Sequence, residues 1–434
     1  MWGAVTIGEK PCVGRRYGAM TMLIRSPRGH GYSVALVGLS LLLLACIGSP
    51  SAGPAVNGTV QSSAQISPDT QPTARPTSVA VPAIVRVSPA NRAVRVRPDA
   101  PVTVSVSSGT LRTVTLVDDN GKRVAGRSGP GATWKTSELL QPATTYTLTI
   151  AATGPQGAST STRSRFTTLR PKTSATYDLI PGDGVVGVGM PVIVQFGSVV
   201  STKAQRAGVE KQMRLTTVPA QVGSWGWLDQ RQLMWRPRTF WKPGTRVTVS
   251  APLHGLETGT NKWITADKGT SFIVGSSMIS NVDMKVHQLT LRRDGRIIHT
   301  FPVSTGKPGP LTETRSGTKV IIERRDAIVM DSATVGIPKG SPNYYKINTT
   351  WNLRLTWTGE FVHSAPWSVG AQGTQNVSHG CTNMSPANAE WMFKNSKMGD
   401  VVTFTGSKRA FQPTEGIGVW VYSYAGWQAQ SALD

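Results

Sequence analysis

Cysteine is scarce in this sequence of 434 residues: there are three, and Cys381 is the only one beyond position 46. Acidic side chains are also few, with 23 Asp and Glu against 46 Lys and Arg, so the net charge is +23. The sequence lacks an aromatic-rich ribonucleoprotein motif, a zinc-ligand cluster and a basic helical repeat, which argues against a nucleic-acid partner. The basic residues are scattered in short blocks and indicate affinity for a polyanionic environment.

The N-terminal segment has the pattern of an export signal. Arg25 and Arg28 precede an apolar run at residues 34–45 that is too short to span a membrane comfortably. The run ends in Leu-Leu-Ala-Cys, which resembles a bacterial lipobox and implies a lipid on Cys46. A plain secretory signal cut near Ala52, or an uncleaved anchor, remains an alternative. We expect an exported lipoprotein at the outer face of the cytoplasmic membrane and in the cell wall.

A signal peptide is thus predicted at residues 1–46, and residues 47–83 follow with a composition rich in Ser, Pro, Ala, Thr and Gly. Such a segment cannot bury a core, so we predict a flexible linker that reaches on the order of 100 Å when extended. Export also bears on Cys381, because an unpaired thiol in an oxidising compartment usually signals reactivity.

Two strand-rich modules are predicted at residues 84–170 and 171–275. Alternating β-branched residues and turn signals, such as the Asn-Gly pair at 120–121, are typical of β-sandwiches. A proline-opened turn leading into a strand occurs at 142–150 and again at 243–250, a weak repeat of about 100 residues. We predict tandem immunoglobulin-like modules, in architecture only, because neither has the cysteine and tryptophan spacing of antibody domains.

The segment 276–407 is predicted to be a β-rich catalytic domain. An Asp-Gly turn at 294–295 lies between two alternating apolar stretches and predicts a hairpin. One helix is well marked, because Ser385 can cap its N-terminus and Pro386 suits its first turn; we expect it to end at 398–399. The predicted fold class is therefore mainly β, with one marked helix in this last domain.

A C-terminal extension is predicted at residues 408–434. It contains Trp420, Tyr422, Tyr424 and Trp427. Aromatic side chains clustered in this way are costly to expose, so we expect the extension to pack against the catalytic domain or the second β module.

The hexapeptide Ser-His-Gly-Cys-Thr-Asn at 378–383, with His363 upstream, carries the chemical signal of the chain. A thiol is a nucleophile as thiolate, and a nearby imidazole both takes its proton and stabilises the charge. Cys381 is therefore a candidate for covalent catalysis. The alternatives are a buried, inert cysteine and, for His379, a hydrogen-bonded structural histidine.

Two stretches, residues 361–367 and 378–383, together resemble the L,D-transpeptidases, whose catalytic domain is of the YkuD type. Two further stretches, 304–309 and 367–373, are similar to the mycobacterial type with tandem immunoglobulin-like domains. The resemblance covers most of residues 276–408.

The resemblance implies a two-step reaction on peptidoglycan stem peptides. Cys381 would attack the carbonyl of diaminopimelate in a tetrapeptide donor, release D-alanine and form a thioester. The side-chain amine of diaminopimelate on an acceptor stem would then form a 3→3 cross-link. Carbapenem β-lactams are expected to acylate the same cysteine. No cofactor is implied, and no metal, because no third ligand is spaced with the two histidines.

Roles carry over by position in the family motif. His363 would be the base, oriented by the carbonyl of Ser364, as in a catalytic triad. The backbone N–H groups of Gly380 and Cys381 would face the oxyanion, and Tyr345 borders the site as a candidate hydroxyl donor.

Other positions are expected to support the motif or contact substrate. His379 and Asn383 would fix the loop, and Met330 and Trp367 would line the pocket. The predicted substrate-binding set is Met330, Tyr345, Ser364, Trp367, Ser378 and Asn383. Thr382 departs from the family, which more often has a hydrophobic residue there, and whether Tyr344 or Tyr345 faces the site stays open.

Two other functions compete with this one. An L,D-carboxypeptidase would hydrolyse the same acyl-enzyme, and the sequence does not separate it from a transpeptidase. A non-catalytic wall-binding protein would keep the β modules and lose the use of Cys381. A papain-like or NlpC-type peptidase is disfavoured, because there the cysteine precedes the histidine.

Overall fold

The computed structural model describes residues 80–433. The predicted signal peptide, Cys46 and most of the predicted linker lie outside this range. Within it, the chain is mainly β, with two immunoglobulin-like sandwiches followed by a third β-rich domain, so the predicted fold class is confirmed. No helix in residues 80–433 has the length and apolar character needed to cross a membrane.

The first sandwich consists of two four-stranded sheets, ordered β1-β2-β6-β5 and β4-β3-β7-β8. Its strands are β1 (Ile84–Ser88), β2 (Thr103–Ser107), β3 (Thr110–Asp118), β4 (Arg123–Val124), β5 (Gly126–Gly129), β6 (Thr133–Thr136), β7 (Thr145–Thr153) and β8 (Ser159–Thr167). Side chains alternate between the two faces of a strand, so Tyr146, Leu148 and Ile150 of β7 all point into the core.

The second sandwich has one sheet ordered β10-β12-β15-β14, another ordered β11-β19-β16-β13, and a small sheet β17-β18-β9. Its elements are β9 (Thr173–Ala175), β10 (Tyr177–Ile180), β11 (Gly184–Val186), β12 (Val192–Phe196), α1 (Lys203–Gln212), β13 (Arg214–Val218), β14 (Gly223–Asp229), β15 (Gln232–Pro237), β16 (Arg246–Ala251), β17 (Glu257–Gly259), β18 (Lys262–Ile264) and β19 (Lys268–Val274). Thr202 caps α1 in a capping box with Gln205.

The third domain packs two sheets around a separate core, with orders β22-β21-β20-β28-β23 and β24-β25-β26-β27. Its elements are β20 (Met278–Asp283), β21 (Gln288–Arg293), β22 (Arg296–Pro302), β23 (Gly317–Val320), β24 (Glu323–Asp331), β25 (Lys346–Arg354), β26 (Phe361–Ser364), β27 (Thr382–Met384), α2 (Pro386–Asn395) and β28 (Val401–Thr405). A 3-10 helix at Pro366–Ala371 leaves β26 and borders the site.

The predicted hairpin and the start of the predicted helix are confirmed. Asp294 and Gly295 both have positive φ, 47° and 84°, as a two-residue hairpin turn requires. Ser385 accepts a hydrogen bond from the N–H of Asn388, and Pro386 opens α2. The predicted end of this helix, at residues 398–399, is wrong. α2 stops at Asn395, because the backbone of residues 398–399 instead accepts hydrogen bonds from Gly187 and Gly189 of the second sandwich.

The C-terminal extension packs against the second sandwich, as its aromatic residues predict. Trp427 is fully buried and its indole N–H donates to the carbonyl of Ser224 at 3.1 Å. The indole N–H of Trp420 donates to the carbonyl of Gly189 at 2.7 Å. A short helix, α3 (Tyr424–Gln428), carries Trp427. The extension also contacts the third domain through Glu415, which pairs with Arg315.

Candidate active site

A cavity of about 550 Å³ in the third domain brings most of the predicted site residues together. Predicted residues that line it are Met330, Tyr345, His363, Trp367, Ser378, His379, Cys381 and Asn383. These residues come from β24, the end of the loop into β25, β26, the 3-10 helix, the loop into β27 and β27 itself. The cavity is therefore formed where the second sheet of the domain ends.

Cys381 follows a sharp turn at Gly380, whose φ of +127° favours glycine. The thiol is buried and its Sγ lies 3.5 Å from the carbonyl oxygen of Gly359, to which it donates. Burial raises the pKa of Cys381 to about 12, and the backbone hydrogen bond with Phe361 opposes this rise. At neutral pH the resting nucleophile is thus a thiol, not a preformed thiolate.

His363 is positioned by the pairing of two parallel strands. In the register of β26 and β27, His363 lies beside Asn383, two residues after the cysteine. Its Nδ1 is 2.7 Å from the carbonyl oxygen of Ser364. A carbonyl can only accept, so Nδ1 carries the proton and Nε2 is left as an acceptor. Burial lowers the pKa of His363 to about 4, which keeps the imidazole neutral and able to take a proton.

The loop before the cysteine is fixed by two hydroxyl groups. Ser378 Oγ donates to the carbonyl of Cys381 at 2.6 Å and accepts from the N–H of Gly380 at 3.1 Å. Thr314 Oγ1 donates to the carbonyl of Gly380 at 2.9 Å. The N–H of Gly380 is therefore already engaged, and an oxyanion could use it only by displacing Ser378. The predicted oxyanion role of Gly380 stays a prediction.

The aromatic residues around the cavity answer one open question. The ring of Tyr345 lies 5.0 Å from that of His379, and both line the cavity, whereas Tyr344 is not among the lining residues. Tyr345 is therefore the tyrosine that faces the site. Burial raises the pKa of its hydroxyl, so it stays protonated and can donate. The ring of Trp367 lies 6.0 Å from that of His363 at the exposed rim.

The remaining predicted residues have structural contacts. Asn383 donates through Nδ2 to Ser368 Oγ at 3.0 Å, and Met330 packs with Phe361 and Cys381. Burial and the nearby Lys307 lower the pKa of His379. These contacts are compatible with the supporting and pocket-lining roles predicted for the three residues, which stay predictions.

The location of Ser364 and the full set of cavity-lining residues differ from the sequence prediction. Ser364 lines a neighbouring cavity of about 450 Å³ and reaches the site only through its carbonyl. Lining residues missed by sequence reasoning are Ile347, Ser368, Gly370, Ala371 and Val377. Three of these lie within the stretch 367–373 that carries the family resemblance, which could have indicated them.

Family models match both parts of this architecture. A bacterial Ig domain matches residues 93–257, and an L,D-transpeptidase catalytic domain matches residues 278–404. The fold and the site thus define a protein in which Ig-like modules precede an L,D-transpeptidase catalytic domain.

Curated relatives extend the match to most of the chain. L,D-transpeptidase 2 of Mycobacterium tuberculosis is 40% identical, over 78% of this chain and 83% of that protein. L,D-transpeptidase 5 of the same species is 35% identical, over 80% of this chain and 76% of that protein. The chain belongs to the L,D-transpeptidase family, and both of these relatives are mycobacterial.

Solved structures also resemble this chain. A structure of LD transpeptidase LdtMt1 in complex with imipenem is 34% identical, covers 54% of this chain and all of its own, and has a TM-score of 0.46. L,D-transpeptidase 3 of Mycobacterium tuberculosis, with a faropenem-derived adduct, is 30% identical, covers 53% of this chain and 97% of its own, and has a TM-score of 0.45.

Proposed function

We propose that this protein forms 3→3 cross-links in peptidoglycan through a thioester on Cys381. One observation carries the proposal. Cys381 and His363 line the same cavity, and the bond from Nδ1 to Ser364 leaves Nε2 of a neutral imidazole free to accept the thiol proton. Membership of the L,D-transpeptidase family supports the choice of substrate.

The first step is acylation by a tetrapeptide stem. Sγ of Cys381 bonds to the carbonyl carbon of diaminopimelate as the thiol proton passes to Nε2 of His363. Because both groups are neutral at rest, proton transfer accompanies attack. The tetrahedral intermediate then collapses, the bond to D-alanine breaks, and the leaving amine takes the proton from His363. The products are D-alanine and a thioester.

The second step transfers the acyl group to an acceptor. The side-chain amine of diaminopimelate on a second stem attacks the thioester, and His363 takes a proton from that amine. The thiolate leaves and is reprotonated, and an amide bond joins the two stems. A thioester keeps the acyl group reactive, so the cross-link needs no nucleotide. If water attacks instead, the same intermediate gives a tripeptide, which is the carboxypeptidase alternative.

Carbapenems are proposed as acylating inhibitors of Cys381. Two solved relatives carry a β-lactam, imipenem in one and a faropenem-derived adduct in the other. The strained β-lactam carbonyl presents the same electrophile as the donor stem. Peptidoglycan lies outside the cytoplasm, so the proposal also requires export, for which lipidation of Cys46 stays a prediction.

The test is incubation of the purified protein with disaccharide-tetrapeptide, followed by mass spectrometry. We expect D-alanine and a cross-linked dimer from the wild type, no product from Cys381→Ala, and one carbapenem added to the wild type only. Tripeptide without dimer would select the carboxypeptidase. A folded wild type that yields neither product nor adduct would refute both enzymatic functions.

A further inference from the structure

Four charged side chains meet beneath the loop that holds the nucleophile, and we call them the ion cluster: Arg315, Lys319, Glu360 and Glu415. Glu360 Oε1 accepts from Arg315 Nη1 at 2.9 Å and from the N–H of Arg315 at 3.0 Å. Its Oε2 accepts from Lys319 Nζ, which also donates to the carbonyl of Arg315 at 2.7 Å. On its other side, Arg315 Nε donates to Glu415 at 2.7 Å.

The ion cluster is buried. Lys319 is inaccessible to solvent, and Glu360 is only 3% exposed. Buried ion pairs give little net stability compared with apolar side chains of similar size, because desolvation of the charges offsets their attraction. A cluster of this kind next to a reactive loop therefore calls for a role besides holding the fold together.

Glu360 and the residues just before Glu360 and Arg315 approach the nucleophile loop at three points. Cys381 Sγ donates to the carbonyl of Gly359, the residue before Glu360. A Cβ placed on Gly380 would lie 3.7 Å from Cγ of Glu360, so that carboxylate side chain lies directly under the turn. Thr314, the residue before Arg315, donates its hydroxyl proton to the carbonyl of Gly380.

We propose that Glu360 is a positioning residue for Cys381 and that Glu415, from the C-terminal extension, completes the ion cluster that holds it. The carboxylate fixes residues 359–361 against the Gly380 turn, and this contact sets the place of the thiol. The same segment leads directly into β26, which carries His363. The inference rests on the proposed function, in which Cys381 is the nucleophile.

The charges that face the thiol give the proposal a distinctive readout. After burial, the negative charge of Glu360 raises the pKa of Cys381, whereas Arg354 and Lys319 lower it. Tyr345 also faces the thiol and stays protonated. Replacing Glu360 by a neutral isostere removes this negative charge and leaves Arg354 in place, so the pKa of the thiol should fall. The pKa reports that the charge of Glu360 faces the thiol, and the rate of acylation reports whether Glu360 also positions it.

The experiment compares Glu360→Gln, Glu415→Gln and Glu390→Gln in the full chain. Glu390 is the matched control, because it pairs with Lys394 on the exposed face of α2. Three quantities are measured: the melting temperature, the rate of Cys381 alkylation by iodoacetamide against pH, and the rate of acylation by a carbapenem.

For Glu360→Gln we expect the midpoint of the alkylation profile to move to lower pH, because the negative charge that raises the pKa of the thiol is gone. We also expect acylation to slow by about tenfold or more, because a displaced nucleophile loses the geometry of attack. Glu415→Gln should slow acylation by about threefold without moving the midpoint, since within the ion cluster its carboxylate bonds only to Arg315. Glu390→Gln should match the wild type.

The proposal is overturned if folded Glu360→Gln keeps an acylation rate within about twofold of the wild type, whatever the midpoint of its alkylation profile. If that variant does not fold, Glu415→Gln decides, and a rate equal to that of Glu390→Gln overturns the proposal. Failure of the proposed function looks different, because the wild type itself would then form no carbapenem adduct. Alkylation by iodoacetamide does not depend on transpeptidation and would still report on the thiol.

Discussion

Two buried carboxylates in the third domain, those of Glu360 and Asp400, differ in the hydrogen bonds and ion pairs that they make. Glu360, under the nucleophile loop, receives hydrogen bonds on both oxygens from Arg315 and Lys319. Asp400 lies at the junction with the second sandwich, against the backbone of Gly187. One of its oxygens accepts from the N–H of Lys397 at 2.7 Å, and the other has no hydrogen-bond partner within residues 80–433.

The difference shows that burial alone does not decide the cost of a charge. Burial raises the pKa of Asp400 to about 7, because the backbone hydrogen bond from Lys397 and the nearby cations offset its desolvation only in part. Glu360 is as deeply buried, but its charge is matched by two cations. Glu360 thus has cations paired with both of its oxygens beside the nucleophile, whereas Asp400 destabilises the fold when it ionises.

The largest expected effect on the free energy of unfolding comes from removing a cation that pairs with Glu360. Lys319→Met would leave one oxygen of Glu360 buried without its cation, because Arg315 holds only the other oxygen. We expect a loss of about 3–5 kcal/mol in the free energy of unfolding. Urea denaturation followed by tryptophan fluorescence measures this.

Lys394→Met is the matched control for this substitution. It breaks the exposed pair with Glu390, and we expect a change of less than about 0.5 kcal/mol. Equal effects of the two substitutions would show that the ion cluster contributes no more than a surface pair.

Removing the carboxylate charge of Asp400 should raise the free energy of unfolding. Between pH 3.8, the ordinary pKa of Asp, and about pH 7, the unfolded chain releases its proton while folded Asp400 keeps it. Wild-type stability therefore falls as pH rises through this window. Asp400→Asn does not titrate and should be more stable than the wild type by about 2–4 kcal/mol near pH 8.

The pH dependence is the check on this second prediction. The two proteins should have similar unfolding free energies near about pH 4 and diverge as pH rises. Asp326→Asn, at an exposed position of β24, should show no such divergence. A constant difference between Asp400→Asn and the wild type at all pH values would mean that Asp400 is not the titrating group.

Local patterns in the sequence predicted local structure well. The Asp-Gly turn at 294–295 and the cap at Ser385 depend on neighbouring residues, and both are found as expected. The end of α2 was placed wrongly, because it depends on hydrogen bonds from Gly187 and Gly189, which lie far away in the sequence. The same limit applied to the choice between Tyr344 and Tyr345, which only the packing against His379 decides.

The candidate site also has one part that the sequence predicted and one part that it could not predict. Cys381 and His363 could be named from a short motif, and the pairing of β26 with β27 brings the two segments together. The ion cluster could not be named, because Glu360 lies 45 residues from Arg315 and Arg315 lies 100 residues from Glu415. In the sequence each of these residues resembles an ordinary charged residue on a strand or loop.

The smallest expected effect on the free energy of unfolding comes from two threonines beside the nucleophile. They give the same comparison, of a paired and an unpaired buried group, for uncharged side chains. Thr314 Oγ1 accepts from the N–H of Gly306 at 2.8 Å and donates to the carbonyl of Gly380. Thr382 is equally buried, but its hydroxyl has no partner in the described part of the chain. This is the position where the family more often has a hydrophobic residue. The same substitution should therefore act in opposite directions at the two sites.

Thr382→Val should raise the free energy of unfolding by about 1 kcal/mol, because it removes an unpaired buried hydroxyl and keeps the β-branched shape. Thr314→Val should lower it by about 1–2 kcal/mol, because it leaves the N–H of Gly306 and the carbonyl of Gly380 without partners. Thermal unfolding of both variants measures the two signs. Destabilisation by Thr382→Val would show that its hydroxyl has a bound partner, such as an ordered water, and that the site beside Cys381 is as fully paired as the one at Thr314.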